Sequence, residues 1–346
     1  MSERDILYFN TWYRGHNNAR YAELLPRLER VRPYLLTFPR PRLLRAASER
    51  AWRAVRQPAE PALLRLAERR HPYAFVTDVR QLETLTVPSV VDVDDFYFTE
   101  ENAALLRRPN VVAYTVTDTW AADRLEELGV EHPWHLIPQG VALDQLDAAE
   151  AAEFDRLRNG RPVVGYIAAF LRLTGDRGGE NPMYNVRHLL ELWEEIHARV
   201  PEALLWLVGD TSSRLRHRLA ERSDVTLFGH VPRGRLLALA SNFDVALYPR
   251  ERDAGIRASK VAEYLGVGAP IVGYDHRVLQ DVREAGAGVL VATPREFVAA
   301  VERLFTDDGE RARLAAAARA AGTERDWRKL AARYAELLDL HLPPLH

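Results

Sequence analysis

Residues 254–272 read Ala-Gly-Ile-Arg-Ala-Ser-Lys-Val-Ala-Glu-Tyr-Leu-Gly-Val-Gly-Ala-Pro-Ile-Val. This stretch predicts a glycine-containing loop, a short helix that ends at Gly-x-Gly-x-Pro, and a β-branched strand. In a parallel α/β sheet, a helix that starts beyond a strand end directs its free N–H groups and its dipole at the ligand, an arrangement that suits a phosphate. Lys260 adds a positive charge in the first turn, and Glu263 lies at i+3 on the same helix face.

The segments on both sides of this stretch alternate between short apolar strands and amphipathic helices, a pattern typical of parallel sheets covered on both faces. The strands are predicted at 5–10, 34–38, 73–77, 87–93, 111–116, 134–138, 162–167, 203–208, 225–228, 244–248, 270–274 and 288–291. The helices are predicted at 19–31, 120–128, 186–200, 212–221, 233–241, 259–267, 278–285, 294–305, 309–321 and 327–340.

The chain has 346 residues, and because one domain typically contains about 150 residues, we expect two domains. The charged, alanine-rich segment 144–160 is the predicted boundary between them. We therefore expect an α/β fold with two Rossmann-like domains, at 1–150 and 160–324.

The composition narrows the class of protein. The formal net charge is -2 and the pI is near 6.6, so nucleic acid is not an expected partner. The absence of cysteine excludes disulfides, thiolate catalysis and cysteine metal sites. A charged N-terminal segment and the lack of an apolar run of about 20 residues predict an unexported, cytoplasmic protein. Nothing in the sequence indicates an oligomeric state.

The region from Arg40 to Arg70 is strongly basic, with nine arginines against three glutamates. One interpretation is a surface that contacts anionic lipid at the inner membrane face, or an anionic acceptor. The alternative is a solvated helix face in an arginine-rich protein.

Several short motifs in the second half follow one another in a characteristic order. They are Ile137-Pro138-Gln139-Gly140-Val141, Val164-Gly165-Tyr166, Leu207-Val208-Gly209-Asp210, Leu227-Phe228-Gly229-His230-Val231-Pro232, Phe243 to Pro249, and Lys260-x-x-Glu263-Tyr264-Leu265-x-x-Gly268-x-Pro270-Ile271-Val272. In this order and spacing the chain resembles the retaining group 4 glycosyltransferases of the GT-B fold. The resemblance implies two Rossmann-like domains that face each other across a cleft. It also implies that a C-terminal helix at about 325–346 packs back on the first domain.

The resemblance also implies a donor site for a nucleoside diphosphate sugar. In it, Glu263 holds the ribose hydroxyls, because a carboxylate accepts two hydrogen bonds from a vicinal diol. Lys260 and the backbone amides of the turn from Gly255 to Ser259 neutralise the diphosphate, so no metal and no other cofactor is expected. The donor-binding residues carried over in this way are Gly209, Gly229, His230, Gly255, Ile256, Arg257, Ser259, Lys260 and Glu263.

The first half shows a narrower likeness. Val90 to Phe96 and Tyr114 to Asp118 resemble bacterial enzymes that build teichuronic-acid-like and other surface polysaccharides. Asp92, Asp94 and Asp95 form an acidic cluster, in which Asp94 and Asp95 are candidate catalytic carboxylates. The alternative for all three is a strand end and a turn or helix N-cap. The first loop supplies a further set of candidates, His16 as a catalytic residue and Gly15, Trp12 and Tyr13 on the acceptor side.

Two positions depart from the family pattern. Gly255 stands eight positions before Glu263, where relatives often have a second glutamate; Glu251 and Asp253 are the nearby substitutes. The Gly-Arg…Lys pair usual after the first strand of the second domain is missing, and Arg172 and Arg177 are candidates to replace it.

These features predict a hexosyltransferase-type enzyme that moves a sugar from a nucleotide sugar to a hydroxyl acceptor, such as a glycan, a lipid-linked glycan or a small molecule. Metal independence and retention of anomeric configuration are expected from the resemblance. Two alternatives stay open at this point. One is a sugar-nucleotide epimerase of the same fold, and the other is a catalytically silent nucleotide-binding partner protein.

Overall fold

The computed structural model describes residues 4–10, 19–35, 59–94, 97–173, 175–176, 184–252 and 258–344. The chain divides into two compact units. Unit 1 contains Met1–Pro138 and Arg328–His346, and unit 2 contains Gln139–Trp327. Each unit is built on a six-stranded parallel sheet with helices between the strands, so the fold is α/β.

Unit 1 has the sheet order β2-β1-β3-β4-β5-β6. Its strands are β1 (Ile6–Asn10), β2 (Val31–Leu35), β3 (Tyr73–Val76), β4 (Ser89–Val93), β5 (Val111–Val116) and β6 (Trp134–Leu136). The helices described between them are α1 (Ala19–Leu24), α2 (Ala59–Glu68), α3 (Glu100–Leu106) and α4 (Thr119–Glu127), with 3₁₀ turns at Leu25–Arg27 and Val79–Glu83. All five residues of β4 are buried, as expected for a parallel strand covered on both faces.

Unit 2 has the order β12-β11-β10-β7-β8-β9. The strands are β7 (Val163–Leu171), β8 (Leu204–Thr211), β9 (Val225–Gly229), β10 (Val245–Tyr248), β11 (Ile271–Tyr274) and β12 (Gly288–Val291). The helices that come after Pro138 in the chain are α5 (Ala148–Arg158), α6 (Val186–Arg199), α7 (Ser213–Leu219), α8 (Arg233–Ala240), α9 (Ser259–Val267), α10 (Gln280–Ala285), α11 (Pro294–Thr306), α12 (Asp308–Thr323) and α13 (Trp327–His341). Short 3₁₀ turns lie at Leu143–Gln145 and Arg277–Leu279.

The strand order of unit 2 fixes where a ligand is expected. The chain adds β8 and β9 on one side of β7 and then returns to its other side with β10. The neighbouring strands β7 and β10 therefore form a topological switch point, and ligands of open α/β sheets bind beyond the carboxyl ends of the strands at such a point.

The core of unit 2 lies on both faces of its sheet. Along β8, Leu204, Trp206 and Val208 pack on one face, while Leu205 and Leu207 pack on the other. This alternation follows from the two-residue period of a strand, and it leaves few polar positions within the sheet. A buried polar side chain near these strands is therefore unusual and marks a candidate functional position.

The last helix belongs to unit 1 from Arg328 onward. Tyr334 of α13 is fully buried, and its hydroxyl donates to the Asp92 carboxylate at 2.9 Å. Asp92 also pairs with Arg20 Nε at 2.9 Å and accepts a hydrogen bond from Thr115. Arg20 in turn donates to the carbonyl oxygens of Ile137 and Pro138. These side chains tie the C-terminal helix to α1, β4 and β5.

Several element boundaries differ from the sequence predictions, most clearly those of the first helix, β2, β7 and β8. The first helix ends at Leu24 and passes through a 3₁₀ turn containing Pro26, so Val31 opens β2 instead of closing the helix. Both β7 and β8 extend beyond their predicted ends.

The unit boundary also differs from the predicted one at 144–160. Unit 2 starts at Gln139, because α5 packs on unit 2 through Phe154, whose ring contacts Trp206 and Phe228 edge-on. Val141 also forms a bridge with Asp326 near the end of unit 2.

Candidate functional site

Helix α9 carries two charged side chains into the interior of unit 2. It begins after Ala258, whose backbone is extended and which gives no side-chain cap, and it ends at Gly268 in the left-handed conformation. Lys260 and Glu263 are 7% and 3% exposed. Because burying a charge costs free energy unless it is paired, two such residues three positions apart on one helix indicate a functional role.

Lys260 lies among the rings of three tyrosines from separate parts of unit 2. Its Nζ lies 4.2 Å from the centre of the Tyr166 ring, 5.4 Å from that of Tyr248 and 5.5 Å from that of Tyr184. The ammonium also donates to the Tyr166 hydroxyl at 3.2 Å. Tyr166 lies on β7 and Tyr248 on β10, so Lys260 is positioned at the switch point of the sheet.

The environment of Lys260 weakens its hold on a proton. Burial and, to a smaller extent, the positive charge of Arg250 lower the pKa of Lys260 to about 7, and the negative charge of Glu263 opposes both. The cation–π contacts with the tyrosine rings stabilise the charged form and act against this lowering of the pKa. A lysine in this state gains a full positive charge when a negative group comes close to it.

Glu263 is paired with an arginine that the sequence analysis did not single out. Arg233, the first residue of α8, donates from Nη1 to Glu263 Oε1 at 2.8 Å. Burial raises the pKa of Glu263, while Arg233 and Lys260 act against that rise. The carboxylate is thus held in one position, where one oxygen is engaged by Arg233.

Two predicted donor-site glycines have backbone conformations that require glycine. Gly209, near the end of β8, has φ +147°, and a Cβ there would clash with the carbonyl oxygen of Ala168. Gly229, the last residue of β9, has φ +70° and open space where a Cβ would lie. Both glycines lie toward the carboxyl ends of parallel strands, where ligands of such sheets bind. His230 follows Gly229 and is exposed, as is Ser259 at the start of α9.

Arg172 directly follows β7 and is half-buried. Its guanidinium lies 3.6 Å from the Asp210 carboxylate and 4.7 Å from the centre of the Phe170 ring. Glu251, considered as a substitute for the acid missing at Gly255, accepts a hydrogen bond from Asn185 Nδ2 at 2.9 Å.

The remaining predicted residues fall into two groups. Asp94 is half-buried at the end of β4, beyond Asp92 and its ion pair with Arg20. The others lie outside the residues that the structure describes: Trp12, Tyr13, Gly15, His16, Asp95, Arg177, Asp253, Gly255, Ile256 and Arg257.

The basic region 40–70 is described only from residue 59 onward. There Glu68 of α2 accepts hydrogen bonds from the backbone N–H groups of Thr86 and Val87, which fixes the helix end to the loop before β4. Arg65, Arg69 and Arg70 are exposed.

No helix within the described part of the chain is long and apolar enough to cross a membrane. The same part contains no group of three or more acidic or histidine side chains arranged to hold a metal ion.

Arg233 and the three tyrosines are the residues that sequence reasoning missed. Arg233 comes directly after the Gly-His-Val-Pro motif, at the start of the predicted helix that follows β9. That position was the sequence signal that could have indicated a residue close to the ligand. The tyrosines come from segments at 166, 184 and 248, and the sequence contains no sign that they meet at Lys260.

Part of the chain matches a family of known proteins. Residues 177–307, which lie within unit 2 and include α9, match the family model described as "Glycosyl transferases group 1". The two parallel six-stranded sheets with alternating helices are those of GT-B structures. The fold is therefore of the GT-B type, and a large part of unit 2 has the sequence pattern of group 1 glycosyltransferases.

Two solved structures align with nearly the whole chain. HepE of Anabaena, solved in complex with UDP, aligns with a TM-score of 0.72 at 14% identity and covers 97% of this chain and 100% of that one. WaaG, a glycosyltransferase involved in lipopolysaccharide biosynthesis, aligns with a TM-score of 0.67 at 16% identity, covering 98% of each chain.

In sequence, the D-inositol 3-phosphate glycosyltransferase of Xylanimonas cellulosilytica is 31% identical over 221 residues, which are 57% of this chain and 49% of that protein. The chain spans about half the length of the curated relatives it matches.

Proposed function

We propose that this protein transfers a hexosyl group from a nucleoside diphosphate sugar to a hydroxyl acceptor, without a metal ion and with retention of anomeric configuration. The observation that carries the proposal is the pair Lys260 and Glu263, buried on one helix that starts at the switch point of the unit 2 sheet. The family match over residues 177–307 covers this helix. HepE of Anabaena has been solved with UDP and with UDP-glucose, which supports a uridine nucleotide as the first donor to test.

Each charged residue has a separate role in this proposal. Glu263, held by Arg233 through Oε1, accepts hydrogen bonds from the ribose hydroxyls. Lys260 and the start of α9 receive the diphosphate, whose charge grows as the bond to the sugar breaks. Gly209 and Gly229 leave room for the nucleotide next to the strand ends, since a side chain at Gly209 would clash with the backbone.

The proposed reaction breaks the bond between the anomeric carbon and the diphosphate oxygen, and the electron pair stays on that oxygen. The acceptor hydroxyl forms the new bond on the same face of the sugar, and its proton passes to the departing diphosphate. No metal is needed if Lys260 and the helix start supply the positive potential that stabilises the leaving group. Arg172, Asp94, Asp95 and His16 stay predictions as further catalytic residues. Gly15, Trp12 and Tyr13 likewise stay predictions on the acceptor side.

A donor-turnover experiment tests the proposal. UDP-glucose is incubated with the protein in the presence of a chelator, and released UDP is measured with and without candidate hydroxyl acceptors. We expect slow hydrolysis without acceptor and faster release with a suitable one, both strongly reduced in Lys260→Met. The exposed Lys329→Met variant is the matched control, because it removes the chain's other lysine.

Three outcomes would contradict the proposal. Turnover only with added Mg²⁺ contradicts the metal-independent mechanism. Incorporation of deuterium into the donor from heavy water, without UDP release, indicates an epimerase instead. Nucleotide binding with no turnover of any donor indicates a silent binding protein.

A further inference from the structure

The hydroxyl of Tyr166 is the hydrogen-bond acceptor of Lys260 within the described residues. Lys260 Nζ donates to it at 3.2 Å, and Nζ otherwise faces the rings of Tyr166, Tyr184 and Tyr248. A buried ammonium has three N–H groups and has lost most of its hydration, so an oxygen that accepts from it strongly affects both its position and its charge. The aromatic rings attract a cation without supplying such an oxygen.

A second hydrogen bond fixes the direction of the first. Tyr166 Oη donates its single proton to the carbonyl oxygen of Tyr184 at 2.6 Å, which leaves the lone pairs of the hydroxyl to accept from Lys260. Burial raises the pKa of Tyr166 well above its ordinary value, so the hydroxyl stays protonated and neutral. The hydrogen bonds therefore run in one direction, from Lys260 Nζ to Tyr166 Oη and from there to the Tyr184 carbonyl.

Asn185 anchors the carbonyl end of this chain of hydrogen bonds. Its backbone is in the left-handed conformation, with φ +46°, which asparagine tolerates better than most residues. Its Nδ2 donates to the carbonyl oxygen of Pro249 at 3.2 Å and to Glu251 Oε2 at 2.9 Å. Both acceptors directly follow β10, so the peptide group between Tyr184 and Asn185 is tied to the end of that strand. The acceptor of the Tyr166 proton is thus held by contacts that do not involve Lys260.

Tyr166 itself is held by the strand that carries it. It is fully buried in β7, which lies between β8 and β10, and it is paired with Leu207 of β8. The next residue, Ile167, donates its backbone N–H to Tyr264 Oη of α9 at 2.8 Å. A side chain on a central strand is placed more precisely than one on a loop. The hydroxyl that Lys260 contacts is therefore a fixed point in unit 2.

The other groups around Lys260 act on its charge in opposite directions. Arg250 disfavours the charged form, whereas Glu263 favours it, and Glu263 also pairs with Arg233 of α8. The titratable side chains that face Lys260 from other elements are Tyr166 of β7, Tyr248 of β10 and Tyr184 before α6. Because a hydrogen bond from an ammonium is stronger than one from a neutral amine, the Tyr166 oxygen favours the charged form.

We propose that Tyr166 is a positioning residue, whose hydroxyl holds Lys260 in its charged form at the switch point of the unit 2 sheet. This inference rests on the proposed nucleotide site, and in it Tyr166 acts on the diphosphate only through Lys260. If the hydroxyl is removed, the ring and its cation–π contact stay, but the buried ammonium loses its acceptor. Lys260 then releases its proton at a lower pH, and a smaller fraction of the protein carries the charge that binds a diphosphate.

The test measures the charge of Lys260 directly, because Lys260 and Lys329 are the only lysines in the chain. Lysine labelled with carbon-13 at Cε gives one signal for each, and Lys329→Met assigns the signal of Lys260. The chemical shift is followed against pH in the wild type and in Tyr166→Phe. Tyr264→Phe is the matched control, since it also removes the hydroxyl of a fully buried tyrosine and one hydrogen bond with the backbone.

We expect Lys260 to titrate near pH 7 in the wild type and about one pH unit lower in Tyr166→Phe, which corresponds to one lost hydrogen bond to a charged group. The titration should be unchanged in Tyr264→Phe. Asn185→Gly, which permits the left-handed backbone but removes the anchor, should shift the midpoint in the same direction as Tyr166→Phe. An unchanged Lys260 midpoint in either folded variant, or an equal shift in Tyr264→Phe, would overturn the proposal.

Calorimetry with UDP, or with another nucleoside diphosphate that binds the wild type, separates this inference from the proposed function. Tyr166→Phe should bind about tenfold more weakly than the wild type at pH 8 but within about twofold of it at pH 5.5, where Lys260 is mostly charged in both. An equal loss at both pH values would also contradict the role of Tyr166. If no nucleoside diphosphate binds the wild type, the proposed function fails, whereas the carbon-13 titration still decides whether Tyr166 controls Lys260.

Discussion

Lys260 changes its protonation during nucleotide binding in the proposed mechanism. With burial and Arg250 lowering its pKa to about 7, the side chain loses its proton progressively above that pH in the free protein. A diphosphate binds the charged form better and so raises the pKa, which means that binding above pH 7 takes up a proton.

This linkage gives a prediction for pH. Nucleoside diphosphate affinity should fall as the pH rises from 7 to 9, by at most about tenfold per pH unit, which is the limit for one coupled proton. Titration calorimetry in buffers of different ionisation enthalpy measures both the affinity and the proton uptake. In Lys260→Met the affinity should be lower and nearly independent of pH in this range. A wild-type affinity that rises with pH would contradict the assigned role of Lys260.

A second residue-scale prediction concerns the buried ion pair of unit 1. Asp92→Asn removes the charge partner of fully buried Arg20 and should lower the free energy of unfolding by about 3–5 kcal/mol. Denaturant titration measures the change. Glu127→Gln, which removes the exposed partner of Arg124, should change stability by less than about 1 kcal/mol and is the matched control. Equal effects of the two variants would show that the Asp92 network is not stabilising.

At this scale the sequence revealed Lys260 and Glu263 but not their neighbours. The two residues stand in one motif, and a lysine in a first helical turn next to glycines is visible in the sequence alone. Arg233 and the three tyrosines reach α9 from other elements, so only tertiary structure brings them together. Asp92 belonged to a recognised acidic cluster, but its burial with Arg20 and Tyr334 depends on contacts with helices more than 70 residues away in either direction.

At the scale of elements, α9 is held in place by a close contact with α12. Gly322 of α12 lies against the backbone of α9 at Leu265 and Gly266, and a Cβ at Gly322 would clash with Gly266. Gly266 in turn lies against the side chains of Val141 and Leu143. Small residues at this crossing let the helix backbones approach closely and set the position of the helix that carries Lys260.

Gly322→Ala should therefore destabilise the protein by about 1–3 kcal/mol, although alanine favours a helix more than glycine does. It should also weaken nucleotide binding, because the displaced α9 carries both charged residues. Gly309→Ala in the same helix is the control, since its Cβ would meet no backbone atom and would lie 3.3 Å from the Asp307 carboxylate oxygen. Thermal unfolding and calorimetry measure the two effects. If Gly322→Ala is as stable as the control and binds normally, the helix contact does not position the site.

Element types followed from the sequence more closely than element ends. The strands and helices of unit 2 lie where hydrophobic patterning and glycine or proline stops predicted them, and α9 has the predicted bounds 259–267. The ends of β7 and β8 were missed because Ala168 to Leu171 and Gly209 to Thr211 include small, polar and glycine residues that do not read as strand. Their extension comes from pairing with each other at Phe170–Asp210 and Leu171–Thr211.

At the scale of the whole molecule, the division into two units assigns the proposed nucleotide site to unit 2. Hydrogen exchange of the full chain should therefore show the strongest nucleotide-dependent protection at the start of α9 and at the ends of β7 and β10. The core strand β4 of unit 1 should serve as the internal reference. Protection centred on unit 1, with α9 unchanged, would place the nucleotide elsewhere.

In the proposed nucleotide site, Glu263 binds the ribose and Lys260 binds the diphosphate. The most direct measurement is titration calorimetry with UDP, GDP, ADP and dTDP on the wild type, Glu263→Gln and the exposed control Glu284→Gln. We expect at least one nucleotide to bind the wild type and the control, and to bind Glu263→Gln at least about tenfold more weakly, with the variant still folded by circular dichroism. Binding of none of the four nucleotides, or equal affinity in folded Glu263→Gln, would contradict it.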